Sequence, residues 1–416
     1  MSTFDNIKKT KSSDFIMTEG AKQAFDVIEE DKKNLFITGK AGSGKSFFIN
    51  ELLKRYKSKN IVLVAPTGIA AINIGGSTIH SFFKLPVGMF NLKQIKPSKK
   101  VKQLLENTDI IIIDEISMVR ADVFDAINVT CQKCGRPDKE FGGKRVIVVG
   151  DLEQLPPIVS KQEEEHYFNK YNGVYFYDSK LIDKENWSIV EFDTVFRQSD
   201  DSFIKLLNNV RDKENLDFTV DQLNKRHIDV NRTDIVTLTP YRKQELEINK
   251  ERLEMIKGTS YTFDADIEGK FEEGKYPTEK ELVLKVGALV MTITNDIHGR
   301  YVNGTTGTIT EIEDDYVKID VNGKDIKVEM KKFVNYDYKV NGDKIEKIEI
   351  GSFTQFPIKL AWAITIHKSQ GKTLDEVIID KGRGMFSSGQ MYVALSRCKS
   401  IEGLYLTKPL STGDIL

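Results

Sequence analysis

The chain has 416 residues, of which 30% are charged and 40% hydrophobic, with a formal net charge of −1. That length supplies core for two to four domains, and the balanced charge argues against a protein that merely coats nucleic acid while leaving room for a local basic groove. No apolar run approaches the ~20 residues of a bilayer span, and residues 1–15, with Asp5 and Asp14 among lysines, read as neither a secretory signal nor a transit peptide, so no membrane and an intracellular, cytoplasmic location are expected.

The apolar stretch Leu35-Phe36-Ile37 leads into Gly39-Lys40-Ala41-Gly42-Ser43-Gly44-Lys45-Ser46, followed by apolar residues at Phe48, Ile49, Leu52, Leu53 and Tyr56. This is a phosphate-binding loop in its required setting, between a buried strand and an amphipathic helix. Gly39, Gly42 and Gly44 let backbone N–H groups curl around phosphates, Lys45 neutralises the β/γ charge, and the Ser46 hydroxyl is a ligand for Mg²⁺. ATP and Mg²⁺ are the expected ligands.

Residues 61–65 (Ile-Val-Leu-Val-Ala) form a second buried strand. Residues 84–105 then carry Lys84, Lys93, Lys96, Lys99, Lys100 and Lys102 without a single acid, a segment that either leans on phosphates or is a solvated face. The run Ile110 to Ile113 delivers Asp114 and Glu115 at its carboxyl end, where a parallel sheet keeps its ligands. Asp114 is expected to hold the Mg²⁺ shell and Glu115 to polarise the attacking water, which predicts hydrolysis as well as binding. Cys131 and Cys134 have suggestive spacing but no neighbouring ligands, so they read as structural. Val146 to Val149 is a further strand, and Gln154 in Gly150 to Pro157 lies on the same sheet edge, placed to sense the γ-phosphate. Arg197 and Arg397 follow or end apolar segments, from which an arginine can reach across a cleft to a transferring phosphoryl group.

A second α/β set begins at Ile235 to Thr239, runs through a helical pattern from Lys243 to Met255, and resumes at Val377 to Ile379. Between about Thr262 and Gln355 the texture changes to alternating short strands with turn pairs at Asn303-Gly304, Asn322-Gly323 and Asn341-Gly342, read as a small β-barrel inserted into the second core.

The ordered strings Ala65 to Ala71, Gly76 to Phe83, Ile113 to Val119, Gly150 to Pro157, Phe196-Arg197-Gln198, Val302 to Thr305, Phe356 to Gly371 and Tyr392 to Arg397 together resemble a superfamily 1 helicase of the PIF family, a relative of the RecD and Dda helicases. The resemblance runs from about residue 18 to 406. It implies an α/β protein of two RecA-like cores with parallel sheets: 1–198 with a wedge-like insertion at about 84–108, and 199–261 with 356–416, the latter interrupted by an SH3-like β-barrel at 262–355. It implies a nucleotide site of Lys45, Ser46, Asp114, Glu115, Gln154, Arg197, Gln370, Gly371 and Arg397. Single-strand contacts fall at Thr67, Gly68, His80, Phe83, Thr239, Thr365 and His367, with hydroxyls and amides on phosphates and an aromatic ring on a base. The implied activity is 5′-to-3′ translocation on single-stranded DNA with unwinding at single-strand/duplex junctions, by a monomer or weak dimer serving replication, repair, recombination or structured-DNA maintenance. An RNA or hybrid helicase and an ATP-gated clamp are the alternatives. Two departures stand out: Ala21 follows Thr18-Glu19-Gly20 where an adenine-reading glutamine is the related pattern, with Gln23 two positions on, and Gly142-Gly143-Lys144-Arg145 replaces Gly-Gly-x-Gln. Relaxed base choice is the expectation from the first. The lack of long extra domains points to a bacterial or phage-type protein.

Overall fold

The structure is a computed structural model that describes residues 15–415 except 31, 32, 87, 89, 90, 180, 182–185, 228–231 and 343, so Asp5 and Asp14 lie outside the described residues. Short β-branched runs build a first parallel sheet from β1 (Asn34–Gly39), β2 (Ile61–Ala65), β3 (Ser77–Thr78), β4 (Ile110–Ile113), β5 (Arg145–Val149) and β6 (Trp187–Phe192), in the order β3-β2-β4-β5-β1-β6. Alternate side chains point to opposite faces, and both faces are covered. Leu35, Ile37, Leu63, Ile112 and Ile147 pack on α1 (Glu19–Glu30) and α2 (Lys45–Arg55). Val62, Val64, Ile111, Ile113 and Val148 pack on the other side. There they meet α4 (Ile79–Phe83), α5 (Lys99–Asn107) and α6 (Ala121–Lys133), while α3 (Gly68–Asn73) leads into β3. That double coverage is why the four isoleucines of β4 are all buried.

After α7 (Glu164–Phe168), α8 (Asp201–Asp212) and α9 (Leu216–Asn224), the chain starts its second core with β7 (Thr237–Thr239) and α10 (Arg242–Met255). It then departs into antiparallel structure: β8 (Tyr261–Asp264), β9 (Asp266–Gly269), β10 (Glu281–Leu284), β11 (Leu289–Thr292), β12 (Thr306–Ile312), β13 (Tyr316–Val321), β14 (Lys324–Glu329), β15 (Lys331–Asn341), β16 (Lys344–Gln355) and β17 (Ile358–Leu360). These strands form a five-stranded sheet β14-β13-β12-β11-β17, a three-stranded sheet β15-β16-β9 and the pair β10-β8. Asn322 and Gly323, at φ +53° and +80°, make the two-residue turn between β13 and β14, where a hairpin needs two left-handed residues. Asn303-Gly304 instead sits within the long 293–305 connection. The chain returns through β18 (Ala363–Thr365), α11 (Ile366–Ser369), β19 (Val377–Ile379), α12 (Gln390–Leu395) and β20 (Leu404–Leu406), giving a second parallel sheet β18-β7-β19-β20. Among the described residues no helix is long and apolar enough to cross a membrane.

The hairpin β15–β16 reaches back to the first core. Tyr338, 1% exposed, enters the cluster containing Val62, Phe82 and Leu104, and its ring meets Phe82 edge-on at 5.5 Å. Its hydroxyl accepts from the Leu63 N–H at 3.2 Å and donates to the Leu63 carbonyl at 3.3 Å. β3 spans only two residues and pairs with Val64 and Ala65 alone, so the tyrosine supplies Leu63 with the edge pairing that β3 is too short to give. Asn60 accepts from Ile345 N at 3.1 Å, and Lys100 pairs with Asp337. Part of the cationic segment thus holds the hairpin: Lys100 is paired across domains and Lys102 lies 3.9 Å from Glu106, while Lys93, Lys96 and Lys99 are exposed.

Candidate functional site

The loop after β1 is shaped by its glycines. Gly42 and Gly44 are left-handed (φ +82° and +86°), and a Cβ on Gly42 would lie 2.7 Å from that of Arg197. Lys45 opens α2 with its ammonium donating to the carbonyls of Gly39 (2.6 Å) and Lys40 (3.0 Å). Burial lowers its pKa, opposed by the charges of Asp151, Glu115 and Asp114. A cleft of about 470 Å³ opens beside it, lined by Gly42 to Phe47, Glu115, Gln154, Arg197, Gly371, Thr373 and Arg397.

Asp114 and Glu115 emerge from β4. Burial pushes Asp114 up to about 6, against the hydrogen bond its carboxylate accepts from the Glu115 N–H. Burial, then repulsion from Asp114, pushes Glu115 up to about 7. Glu115 is in the left-handed region (φ +52°), an uncommon conformation for a residue with a Cβ and one that concentrates at functional sites. Glu115 lines the cleft, whereas Asp114 sits behind it. The hydroxyl of Ser46 and the carboxylate of Asp114 are hard oxygen donors of the kind that suits Mg²⁺, an ion that takes few protein ligands and completes its shell with water and phosphate oxygens. The described residues contain no cluster of three or more His, Cys, Asp or Glu placed to hold a metal.

The second core closes the cleft through side chains of its own. Gln370, just past α11, donates one amide nitrogen to both Glu115 Oε2 (3.0 Å) and Gln154 Oε1 (3.1 Å). Gln154 Nε2 lies 3.3 Å from Asp151, which is paired with Arg211 of α8. Arg197 donates to Thr373 Oγ1 (3.0 Å) and to the Ser396 carbonyl (3.1 Å), and burial lowers its pKa to about 10. Arg397, 1% exposed, donates to Val393 O (2.8 Å) and Ser396 Oγ (2.7 Å), and burial followed by repulsion from Arg197 holds its pKa far below the usual value. The Tyr392 hydroxyl accepts from the Ala41 N–H of the phosphate loop at 3.0 Å. Asp151 and Tyr392 fall inside the Gly150 to Pro157 and Tyr392 to Arg397 strings but have no role assigned from them, and Thr373 lies outside every string, where nothing distinguishes it from an ordinary polar residue.

The candidate strand contacts divide. Thr67 caps α3 by accepting from Ala70 N, and Thr365 caps α11 by accepting from Lys368 N, so the two cores present matching capped turns at the ends of β2 and β18. Gly68 and His80 are half-buried, and burial lowers the pKa of His80. Phe83 is a correction. It is 2% exposed and packed edge-on against Phe82 at 4.9 Å, because the apolar face of α4 turns into the core, so its ring offers no surface for a base. Thr239 is a second correction: it is 0% exposed and its hydroxyl donates to Gln244 at 2.6 Å, which fixes the turn into α10 instead of facing a phosphate. His367 is half-buried with its ring stacked on Phe386.

A profile of PIF1-like helicases matches residues 17–220. The ATP-dependent DNA helicase Pif1 of Bdellovibrio bacteriovorus is 33% identical over 399 residues, covering 92% of this chain and 86% of that protein. The chain belongs to the PIF1-like helicase family. Family membership makes it an ATP-dependent DNA helicase. Crystallised Pif1 from a Bacteroides species in complex with ADP-AlF4 is 38% identical and superposes with a TM-score of 0.90 over 97% of this chain and 95% of that one. The Bacteroides Pif1 structure bound to single-stranded DNA superposes at 0.68, with the same identity and coverages.

Two departures of this PIF1-like helicase now have a place. Ala21 lines the cleft beside Phe15, Ile16, Thr18, Phe192 and Phe196, and the Thr18 hydroxyl is taken by the Ala21 N–H at 3.2 Å. Gln23 is exposed on α1 and does not line the cleft. Arg145, the second departure, donates to the carbonyls of Val27 and Ile28 at 2.8 and 2.7 Å, satisfying acceptors near the end of α1. Cys131 and Cys134 are buried against Phe141 and Phe124, and burial raises both thiols, which disfavours the thiolate that a zinc site requires.

Proposed function

We propose that this helicase moves 5′-to-3′ on single-stranded DNA and parts duplex at a single-strand/duplex junction, driven by closure of its two cores on ATP. The observation that carries the reading is Gln370: one side-chain nitrogen from the second core bonds both the carboxylate expected to activate water and the amide expected to sense the γ-phosphate. Loss of the γ-phosphate at Gln154 is thereby felt by the segment that carries Lys368 and the Thr365-capped turn. In this reading Lys45 neutralises the phosphates, Glu115 takes a proton from water, and Arg197 and Arg397 stabilise charge on the transferring group. Ser46 and Asp114 would hold Mg²⁺, which supplies charge neutralisation to the phosphate oxygens when bound. Thr67, Gly68 and Thr365 grip the strand, with His80 and His367 beside them, and exposed Lys93, Lys96 and Lys99 lean on duplex phosphates near the split.

Strand displacement on duplexes with a 5′ or a 3′ single-stranded tail tests it. The 5′-tailed substrate should be unwound with ATP, the 3′-tailed one left intact, and Lys45→Ala should be inert on both. Displacement from the 3′ tail alone would overturn the polarity.

A further inference from the structure

Three rings meet at the carboxyl edge of the second parallel sheet. Tyr241 follows β7, His367 follows β18 and Phe386 follows β19, and these are adjacent strands in the order β18-β7-β19. The Phe386 ring lies nearly parallel to His367, with centroids 6.3 Å apart and an interplanar angle of 16°, and it meets Tyr241 at 5.6 Å. Despite these contacts Phe386 is 56% exposed. Its loop is pinned: the Tyr241 hydroxyl donates to Gly384 O at 2.9 Å, Phe386 N donates to Gln390 Oε1 at 3.0 Å, and a Cβ on Gly382 would stand 3.1 Å from the Tyr241 ring. A large apolar ring is therefore held in water by a pinned loop, with a second ring nearly parallel beside it. Burial keeps His367 below its ordinary pKa, so near neutral pH it offers an uncharged aromatic face.

The arrangement suits a flat, apolar ligand with a π-face. Edges at the carboxyl ends of parallel strands are where such sheets bind ligands, and the chain is a DNA helicase whose sequence-assigned stacking ring, Phe83, is buried in the core. Thr365 and His367 flank the same turn. We propose that Phe386 is a base-stacking residue: a nucleobase of the bound single strand lies on its exposed face, backed by His367. Every base has a π-face, so the contact tolerates sequence and lets the strand advance past it. This inference rests on the strand-binding reading above.

Fluorescence anisotropy of the full chain with a labelled oligothymidylate tests it, alongside the thermal transition of each variant. Base–aromatic stacking predicts that Phe386→Ala weakens binding by roughly five- to 150-fold while Phe386→Trp binds as wild type. A series of strands carrying one abasic residue at successive positions supplies a measurement on the wild-type protein. One abasic position should weaken wild-type binding by a similar factor, and Phe386→Ala should be indifferent to it. Phe386→Ala that binds like wild type while melting earlier would make Phe386 mere cover for the loop and overturn the proposal, as would an abasic series with no sensitive position. Wild type that does not bind single strand at all would instead overturn the strand-binding reading.

Discussion

Replacing Gln370 with alanine should move the pH dependence of ATP hydrolysis, because the lost hydrogen bond stabilises Glu115 in its charged form. Glu115 stands at about 7, raised by burial and by Asp114, and Gln370 Nε2 donates to it at 3.0 Å. A hydrogen bond to a charged group contributes about 1.5–3 kcal/mol, and one pKa unit is about 1.4 kcal/mol, so the carboxyl should rise by about one to two units. A base must be ionised to act, so activity is lost as pH falls through its pKa, and a higher pKa moves that loss to higher pH. At pH 7 the ionised fraction should drop by about fivefold to fiftyfold, with the deficit shrinking as the solution becomes more alkaline. The assay is kcat/KM for DNA-stimulated ATP hydrolysis between about pH 6 and pH 9 at constant ionic strength, which reports groups in the free enzyme. A variant whose rates fall by one constant factor across that range, with the acidic limb unmoved, would refute the argument and leave Gln370 acting only as a bridge between the cores.

Arg197→Ala should lower turnover far more than ATP affinity, since the role proposed for it is to stabilise charge in the transition state. Arg397→Ala should do the same and also melt earlier, because truncating a side chain that is 1% exposed removes its bonds to Val393 O and Ser396 Oγ and leaves a cavity; turnover, nucleotide affinity and melting measured together separate the two arginines. Tyr338→Phe keeps the ring but strips Leu63 of its partner, so the first unfolding transition in urea should weaken by about 1–3 kcal/mol, and an unchanged midpoint would mean that water replaces the hydroxyl. With Ala21 lining the cleft and Gln23 exposed away from it, GTP or CTP should support some DNA-stimulated hydrolysis, and steady-state rates showing strict dependence on ATP would refute relaxed base choice.

The residues that line the cleft can be grouped from the sequence because their demands are local. A phosphate loop needs glycines at left-handed positions and a strand–helix setting, and Asp114-Glu115 needs only a β-branched strand to present it. Orientation was not local. The strings holding Phe83 and Thr239 match strand-contact motifs, yet whether a ring on α4 or a hydroxyl at the end of β7 faces outward depends on what packs against it. Phe386 carried no periodic signal and acquires meaning only beside His367. Lys100 was counted as free positive charge, since its partner Asp337 belongs to a hairpin more than two hundred residues later. The antiparallel insert was recognised from turn pairs, but β17 (Ile358–Leu360) joins its sheet from beyond Gln355, because a three-residue strand next to Pro357 leaves no pattern to find.

The Tyr338 contact also bears on the order in which the molecule can be made. A ribosome delivers residues 34–192, enough for all six strands of the first sheet, well before it delivers the residue that fills the space beside β2 and satisfies Leu63. Until the hairpin emerges, the nascent first core carries an apolar hollow and an unpaired strand edge, the features that attract chaperones and promote aggregation. The first core is thus not a free-standing unit of synthesis: the amino-terminal half waits for a piece of the carboxyl-terminal half. A gene fragment ending near residue 198 would encode the whole phosphate-binding constellation of the first sheet and still yield a domain with an open flank.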